Sequence, residues 1–293
     1  MADAATIIQA ALTGLMQGGV YALISIGLTI IFGVLGIINF AQADFMMLGM
    51  YVALTLFLSL AISPILLFFL LLPVFIVFGA VIQRGLIEPI IDEQEDAQLI
   101  LTFGILLILQ NGMLAIFGSS PQTISVPYSS SAFRIGWITL NQAKAIAFVF
   151  AITTAFAIFL LLRYTEFGRA IRATADNTTA AGYAGINVQW VYMVAFGLGI
   201  ALTASAGALL VMYFPASPTV GFDFIVLMFV VVVAGGLGSV KGALIAGLVI
   251  GVIESLSVVW LPLELQPATI FVMFLLVVLL RPQGLFGTAE RGV

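Results

Sequence analysis

The sequence predicts an all-α polytopic membrane protein, and three observations carry that prediction. The chain of 293 residues is 63% hydrophobic. Only 8% of its residues are charged, against roughly 25% in soluble domains. Its apolar residues lie in long unbroken runs such as ILLFFLLLPVFIVFGAVI. A transmembrane β-barrel would instead alternate apolar and polar residues in segments of about ten.

A helix needs roughly 20 apolar residues to cross a bilayer. On that measure the chain holds about 8–9 transmembrane helices, at 6–31, 41–61, 64–82, 98–117, 144–162, 190–213, 222–238, 242–260 and 267–280. Eight spans plus one re-entrant piece fit nearly as well. The first stretch follows an acidic MADAAT rather than a basic n-region, so it is expected to be a retained span and not a cleaved signal. Asn39 and Gln42 stand three apart, the spacing of a capping box, before the second span. Unwound backbone between Gly33 and Asn39 is expected to precede that helix. Ser63-Pro64 sets a cap residue ahead of an N1 proline, and Pro267 opens the last span in the same way. Thr139 and Gln142 repeat the capping-box spacing ahead of 144–162. Gly14 with Gly18, and Gly247 with Gly251, have the spacing that lets helix backbones approach closely. No strong internal repeat is visible, and no linker divides the chain, so 1–293 is expected to form one transmembrane domain.

Two polar stretches interrupt the apolar pattern. GGLGSVKG, Gly235 to Gly242, lacks the GxxxxGK[ST] order of a phosphate-binding loop and reads as a tight turn between spans. The chain therefore carries no nucleotide-binding motif of its own. RYTEFGRAIRATADNTTAAGYAGINVQ, Arg163 to Gln189, reads as two short helices. Arg169 and Arg172 share a helix face. Asp176-Asn177 form a turn or cap, Ala180 and Ala181 begin the second helix, and Gly185 ends it at a C′ position. A structured basic loop of this kind either grips a soluble partner or simply obeys the positive-inside rule. Placing it in the cytoplasm puts Arg84, Arg163, Arg169, Arg172, Lys241, Arg281 and Arg291 inside, and leaves only Arg134 and Lys144 outside. That distribution predicts an outer N-terminus, a cytoplasmic C-terminus and an outer loop at 118–143.

Composition excludes several functions. The net charge of −4 gives no basic surface for nucleic acid. With no cysteine and no histidine there are no disulfides, no thiol catalysis, no HExxH zinc site and no histidine proton relay. The candidates are instead polar residues inside apolar spans, which are costly there and default to function. One cluster is Asn39, Gln42 and Asp44, either a helix N-terminus facing a cavity inside the membrane or a cap at the cytoplasmic edge. Thr102, Gln110 and Asn111 form a second cluster, lining a polar pathway or bonding between helices. Glu254 is the carboxylate deep in its span, a pathway residue or a partner for a neighbouring helix, and Asp223 reads as a solvated cap.

Three ordered blocks then resemble one family. They are GLTIIFGVLGIINFAQADFMMLG (Gly27 to Gly49), EFGRAIRATADNTTAAGYAGIN (Glu166 to Asn187) and GGLGSVKGALIAGLVIGVIESL (Gly235 to Leu256), with LRPQGLFG near the end. The chain is similar to permease subunits of the branched-chain amino acid class of ABC importers. The resemblance implies a type II importer-like permease rather than an enzyme, with 163–189 as its cytoplasmic coupling loop. Glu166, Arg169, Arg172, Asp176, Asn177, Ala180, Ala181 and Gly185 would form that coupling surface. It further implies a second related permease subunit, two ATPase subunits that hold the ATP and Mg, and a periplasmic or extracellular substrate-binding protein. The setting would be the cytoplasmic membrane of a bacterium or archaeon. Gln42 and Ala43 replace the histidine and glycine frequent in the family's NFAHG, which leaves other amino acids, amides or urea open as substrates. A stand-alone secondary transporter or channel for small polar solutes is the alternative.

Overall fold

The computed structural model describes residues 4–262, 265–281 and 283–286. Residues 1–3, Arg291, and Pro282 and Gly287 of the LRPQGLFG block lie outside them. The helices are α1 (Ala4–Leu35), α2 (Gln42–Leu60), α3 (Pro64–Ile82), α4 (Glu95–Phe117), α5 (Gln142–Tyr164), α6 (Glu166–Asp176), α7 (Thr178–Tyr183), α8 (Val188–Leu210), α9 (Val220–Gly235), α10 (Val240–Trp260) and α11 (Gln266–Leu280). A π turn and a 3-10 turn extend α3 to Ile90. Among the described residues seven helices are long and apolar enough to cross a membrane, while α9 and α11 are shorter. The all-α expectation needs one amendment. A hairpin, β1 (Ala132–Ile135) with β2 (Ile138–Asn141), occupies the predicted 118–143 loop. Gly136, at φ +63, takes the first position of its two-residue turn.

Helices α1 and α8 form the buried centre. Small residues explain how the others reach them. Gly14 and Gly18 of α1 lie directly against the backbone at Gly251 and Gly247 of α10, so the two GxxxG pairs are the two sides of one crossing. Gly49 of α2 meets Ala204 of α8 so closely that a methyl group would strike its carbonyl. Helix α3 packs on α8 at Gly79 and Gly197.

These pairings reveal an internal repeat that is not legible in the sequence. The run α1–α2–α3 corresponds to α8–α9–α10 with direction reversed. Helices α1 and α8 cross antiparallel at Gly27 and Gly199; α10 packs on α1 as α3 packs on α8; α9 packs on α1 as α2 packs on α8. Helices α2 and α9 also run antiparallel, since Asp44 meets Gly221 while Phe40 lies 5.6 Å from Phe229. Inverted repeats of this kind place discontinuous helices at the middle of a transporter bundle.

Several local expectations shift. Helix α1 continues through Gly33 to Leu35, and Gly36 at φ +72 ends it. Asn39 and Gln42 form no capping box: the residue before α2 is Ala41, and the two side chains bond to each other instead. Asn141, not Thr139, caps α5 by accepting from the Lys144 N–H at 3.0 Å. Thr139 pairs through its backbone with the Gln9 amide, tying the hairpin to the start of α1.

Candidate functional site

The connection after α1 turns back into the bundle. Gln42, the first residue of α2, meets α1 at Gly27 and α8 at Gly199 and Thr203. Gly27 lies eight residues before the end of α1, about 12 Å along its axis at 1.5 Å per residue. Helix α2 therefore starts deep inside the bundle, which rules out a cap at its edge.

Side chains knit this start in place. Asn39 Oδ1 accepts from the Ala41 N–H at 3.1 Å, and Asn39 Nδ2 donates to Gln42 Oε1 at 2.9 Å. Gln42 Nε2 donates to Thr203 Oγ1 at 2.7 Å and to the Gly199 carbonyl at 3.2 Å. The Thr203 hydroxyl lies 3.1 Å from the Ile24 carbonyl, so one amide links α2, α8 and α1. Asp44 stands in the first turn of α2, where the helix dipole favours an anion. Its Oδ1 accepts from Gln110 Nε2 of α4 at 2.9 Å, and its Oδ2 has no partner. The carboxylate rests against Gly221 in the first turn of α9, the inverted counterpart of α2. Two helix N-termini thus meet at one buried acid. Thr102 joins the group from α4, its Oγ1 3.1 Å from the Leu99 carbonyl and 3.4 Å from that of Ile38.

Asn39 is therefore joined to Gln42 and Asp44 to Gln110, while Thr102 reaches only backbone carbonyls beside them, and all five are buried. Asn111 is not part of the group. It is exposed, turned about 100° around α4 from Gln110, and spends its Nδ2 on the Leu107 carbonyl at 2.8 Å. Glu254 is also separate: with Gln17 and Lys144 it lines a cavity of about 470 Å³ between α1, α5 and α10. Asp223 is exposed in the first turn of α9 rather than at its cap, which is Thr219. Thr203 is the residue that sequence reasoning missed. Its hydroxyl, one of two small ones beside Ser205 in the apolar run of α8, gave no signal apart from its place four residues after Gly199.

The segment 163–189 forms two helices joined by caps. Thr165 Oγ1 accepts from the Gly168 N–H at 3.1 Å at the start of α6, and Asn177 Oδ1 from the Ala180 N–H at 2.8 Å at the start of α7. Helix α7 starts at Thr178, so Ala180 and Ala181 sit inside it rather than at its beginning. Gly185, at φ +85, closes α7 with bonds from Ile186 N to Ala181 O at 3.1 Å and from Gly185 N to Gly182 O at 3.0 Å. Those are the two bonds of a Schellman motif. Helix α6 buries Gly168, Ile171 and Thr174 and exposes Arg169, Arg172 and Asp176. Arg169 pairs with Glu166 at 3.3 Å in solvent, while Arg172 donates to the Leu162 carbonyl at the end of α5. On α7 Ala181 is buried, Ala180 is exposed, and Tyr183 is 90% exposed. A small rigid platform results, with a large aromatic ring free on its surface.

Comparison with known proteins bears on this arrangement. Residues 10–280 match the family model described as the permease component of branched-chain amino acid transport systems. The chain is 31% identical to the high-affinity branched-chain amino acid transport system permease protein LivH of Escherichia coli K12, over 97% of this chain and 96% of that protein. It is 29% identical to BraD, the corresponding permease of Pseudomonas aeruginosa, with the same coverage of both chains. A probable LivH of Methanocaldococcus jannaschii is 32% identical over 84% of this chain and 80% of its own length. No solved structure matches the chain significantly.

Proposed function

The chain belongs to the permease family of branched-chain amino acid transport systems and is a multi-pass transport subunit rather than an enzyme; from that premise we propose how it works. It translocates branched-chain or other amino acids, with amides and urea as further candidates, delivered by a substrate-binding protein outside the cytoplasmic membrane. A second related permease subunit completes the pathway, and two ATPase subunits hold ATP and Mg and supply the energy. The whole of 1–293 acts as one permease domain, with its N-terminus outside and its C-terminus in the cytoplasm. Within it 163–189 is the coupling loop that seats on an ATPase. Asn39, Gln42, Asp44, Thr102 and Gln110 hold the helix starts whose rearrangement opens the path.

The observation that carries this reading is the 163–189 platform. It is capped at each helix start, closed by a Schellman motif and anchored to α5 through Arg172, yet it exposes Ala180, Gly182 and Tyr183. An idle loop needs no such rigidity, whereas a lever does. The test is co-expression with candidate ATPases and a binding protein, followed by ATP-driven uptake of radiolabelled amino acids in proteoliposomes. Uptake should need ATP and the binding protein, and should vanish when Arg169 is replaced or bulk is inserted at Gly185. Coupled uptake by a complex lacking 166–187 overturns the reading. Uptake by this chain alone, driven by an ion gradient, overturns it in favour of a stand-alone transporter.

A further inference from the structure

Three cavities adjoin one another around the first half of α1 by sharing lining residues. One of about 400 Å³ lies beside the hairpin and Tyr213, and Lys144 forms part of its wall. The second, of about 470 Å³, is bounded by Lys144 and also by Glu254. The third, of about 440 Å³, has Glu254 in its wall and continues to Asp223 and Phe271. Lys144 thus stands where the first cavity meets the second, and Glu254 where the second meets the third.

Both residues lie on membrane-spanning helices, Lys144 in the first turn of α5 and Glu254 in the C-terminal half of α10. Glu254 lies well inside its span, where a charge is expensive and persists where it serves a pathway, whereas Lys144 stands at the outer end of its helix. The cheapest structural arrangement would be a direct ion pair, but the pair is left open. Among the described residues the one ion pair within 4.0 Å is Arg169–Glu166. The Lys144 ammonium instead lies 5.5 Å from the centre of the Tyr213 ring. Two opposite charges face one chamber without closing on each other, and the chamber falls in the size range of small-molecule sites. Its remaining wall is mixed: Thr13, Gln17 and Ser255 offer polar atoms, while Ala10, Val258 and Val259 offer an apolar side.

We infer that Lys144 and Glu254 are the two poles of a zwitterion site. Glu254 accepts hydrogen bonds from an α-ammonium group, Lys144 donates to an α-carboxylate, and the apolar wall receives an aliphatic side chain. A ligand with only one of the two charges leaves the opposite pole unpaired, so the site selects free amino acids over amines, acids and urea. This inference rests on the amino acid importer reading and adds to it the residues that recognise the backbone of the substrate.

The test uses the intact complex in proteoliposomes with leucine as the probe. Lys144→Met and Glu254→Gln should each lower ATP-driven leucine uptake roughly tenfold to hundredfold, the range expected for losing a charge-assisted hydrogen bond. The exchange K144E/E254K, which keeps one charge of each sign, should restore part of it. Wild-type uptake by either single variant overturns the site. A folding defect is separated by a labelling readout. The chain has no cysteine, so Val258→Cys gives a single thiol on the chamber wall of an otherwise native chain. Leucine should slow its reaction with a small thiol reagent several-fold, and urea should not. An unchanged labelling rate with leucine overturns the site even while transport continues. A wild-type complex that moves no amino acid at all refutes the importer reading itself, which is a different outcome.

Discussion

Replacing Gln42 with leucine shortens the side chain by one atom and removes every side-chain bond it makes. Gln42 is fully buried, and Asn39 is 1% exposed. No water can take over the Asn39 Nδ2 donor, and a buried unsatisfied donor costs about 1–3 kcal/mol. Two further bonds, to Thr203 Oγ1 and the Gly199 carbonyl, cross from α2 to α8. Bonds between membrane helices average about 0.6 kcal/mol each. Leucine regains part of this through its own packing, so the expected loss is about 2–3 kcal/mol. Thr203→Val removes one of the same bonds and should cost about 1 kcal/mol. The double variant should then cost less than the sum of the two by about 1 kcal/mol, within the range seen for residues in contact. Unfolding by sodium dodecyl sulfate in mixed micelles, followed through the three tryptophans of the chain, measures all four corners of the cycle. A Gln42→Leu loss under about 0.5 kcal/mol, or strict additivity with Thr203→Val, would refute the three-helix linkage.

Other perturbations separate neighbouring roles. Gln110→Leu strips the one side-chain donor from the buried Asp44 carboxyl and should destabilise by about 1–3 kcal/mol, whereas Asn111→Leu one position on should change stability by less than about 0.5 kcal/mol; the same unfolding assay compares them. Gly18→Val drives a branched side chain into the Gly247 carbonyl and the Leu248 backbone, so a loss of about 3 kcal/mol and a sharp fall in folded protein after detergent extraction are expected. Gly185→Val forces a β-branched residue into the left-handed region at a cost of about 1–2 kcal/mol local to α7. It should leave membrane insertion intact and reduce binding-protein-stimulated ATP hydrolysis, measured on the reconstituted complex.

What the sequence makes legible follows from periodicity and composition. Long apolar runs announce the spans because the bilayer enforces their length. The 163–189 segment is visible as two short helices because Asn177 and Gly185 are short-range cap signals; the Thr165 cap emerges only from the structure. The GxxxG pairs are visible as packing surfaces, though not as partners of each other. What stays hidden is non-local. Gln110 and Asn111 are adjacent in sequence but about 100° apart around α4, so one meets Asp44 and the other turns outward. The depth at which α2 starts depends on a chain reversal after Gly36, which no hydropathy count resolves. The inverted relation of α1–α2–α3 to α8–α9–α10 rests on shared contacts rather than on shared residues. The hairpin was within reach, because Gly136 sits between two β-forming stretches where a two-residue turn needs it.

Helices α5 and α10 connect the two ends of the proposed mechanism. Helix α5 has 23 residues and is therefore about 34 Å long. Lys144 stands at one end, and Leu162, which receives the Arg172 bond from the platform, stands near the other. Helix α10 runs beside it in the opposite direction. Its start, at Ser239 and Lys241, shares a cavity of about 280 Å³ with Ile171, Arg172 and Ala175 of α6, and its far half carries Glu254. Lys144 thus sits on a helix whose opposite end is bonded to α6, and Glu254 on one whose opposite end faces α6 across that cavity. We propose that movement of the platform is carried along both helices to the gap between Lys144 and Glu254; the distance between labels at the two far ends should then change when ATP binds the reconstituted complex, and a constant distance would refute the link.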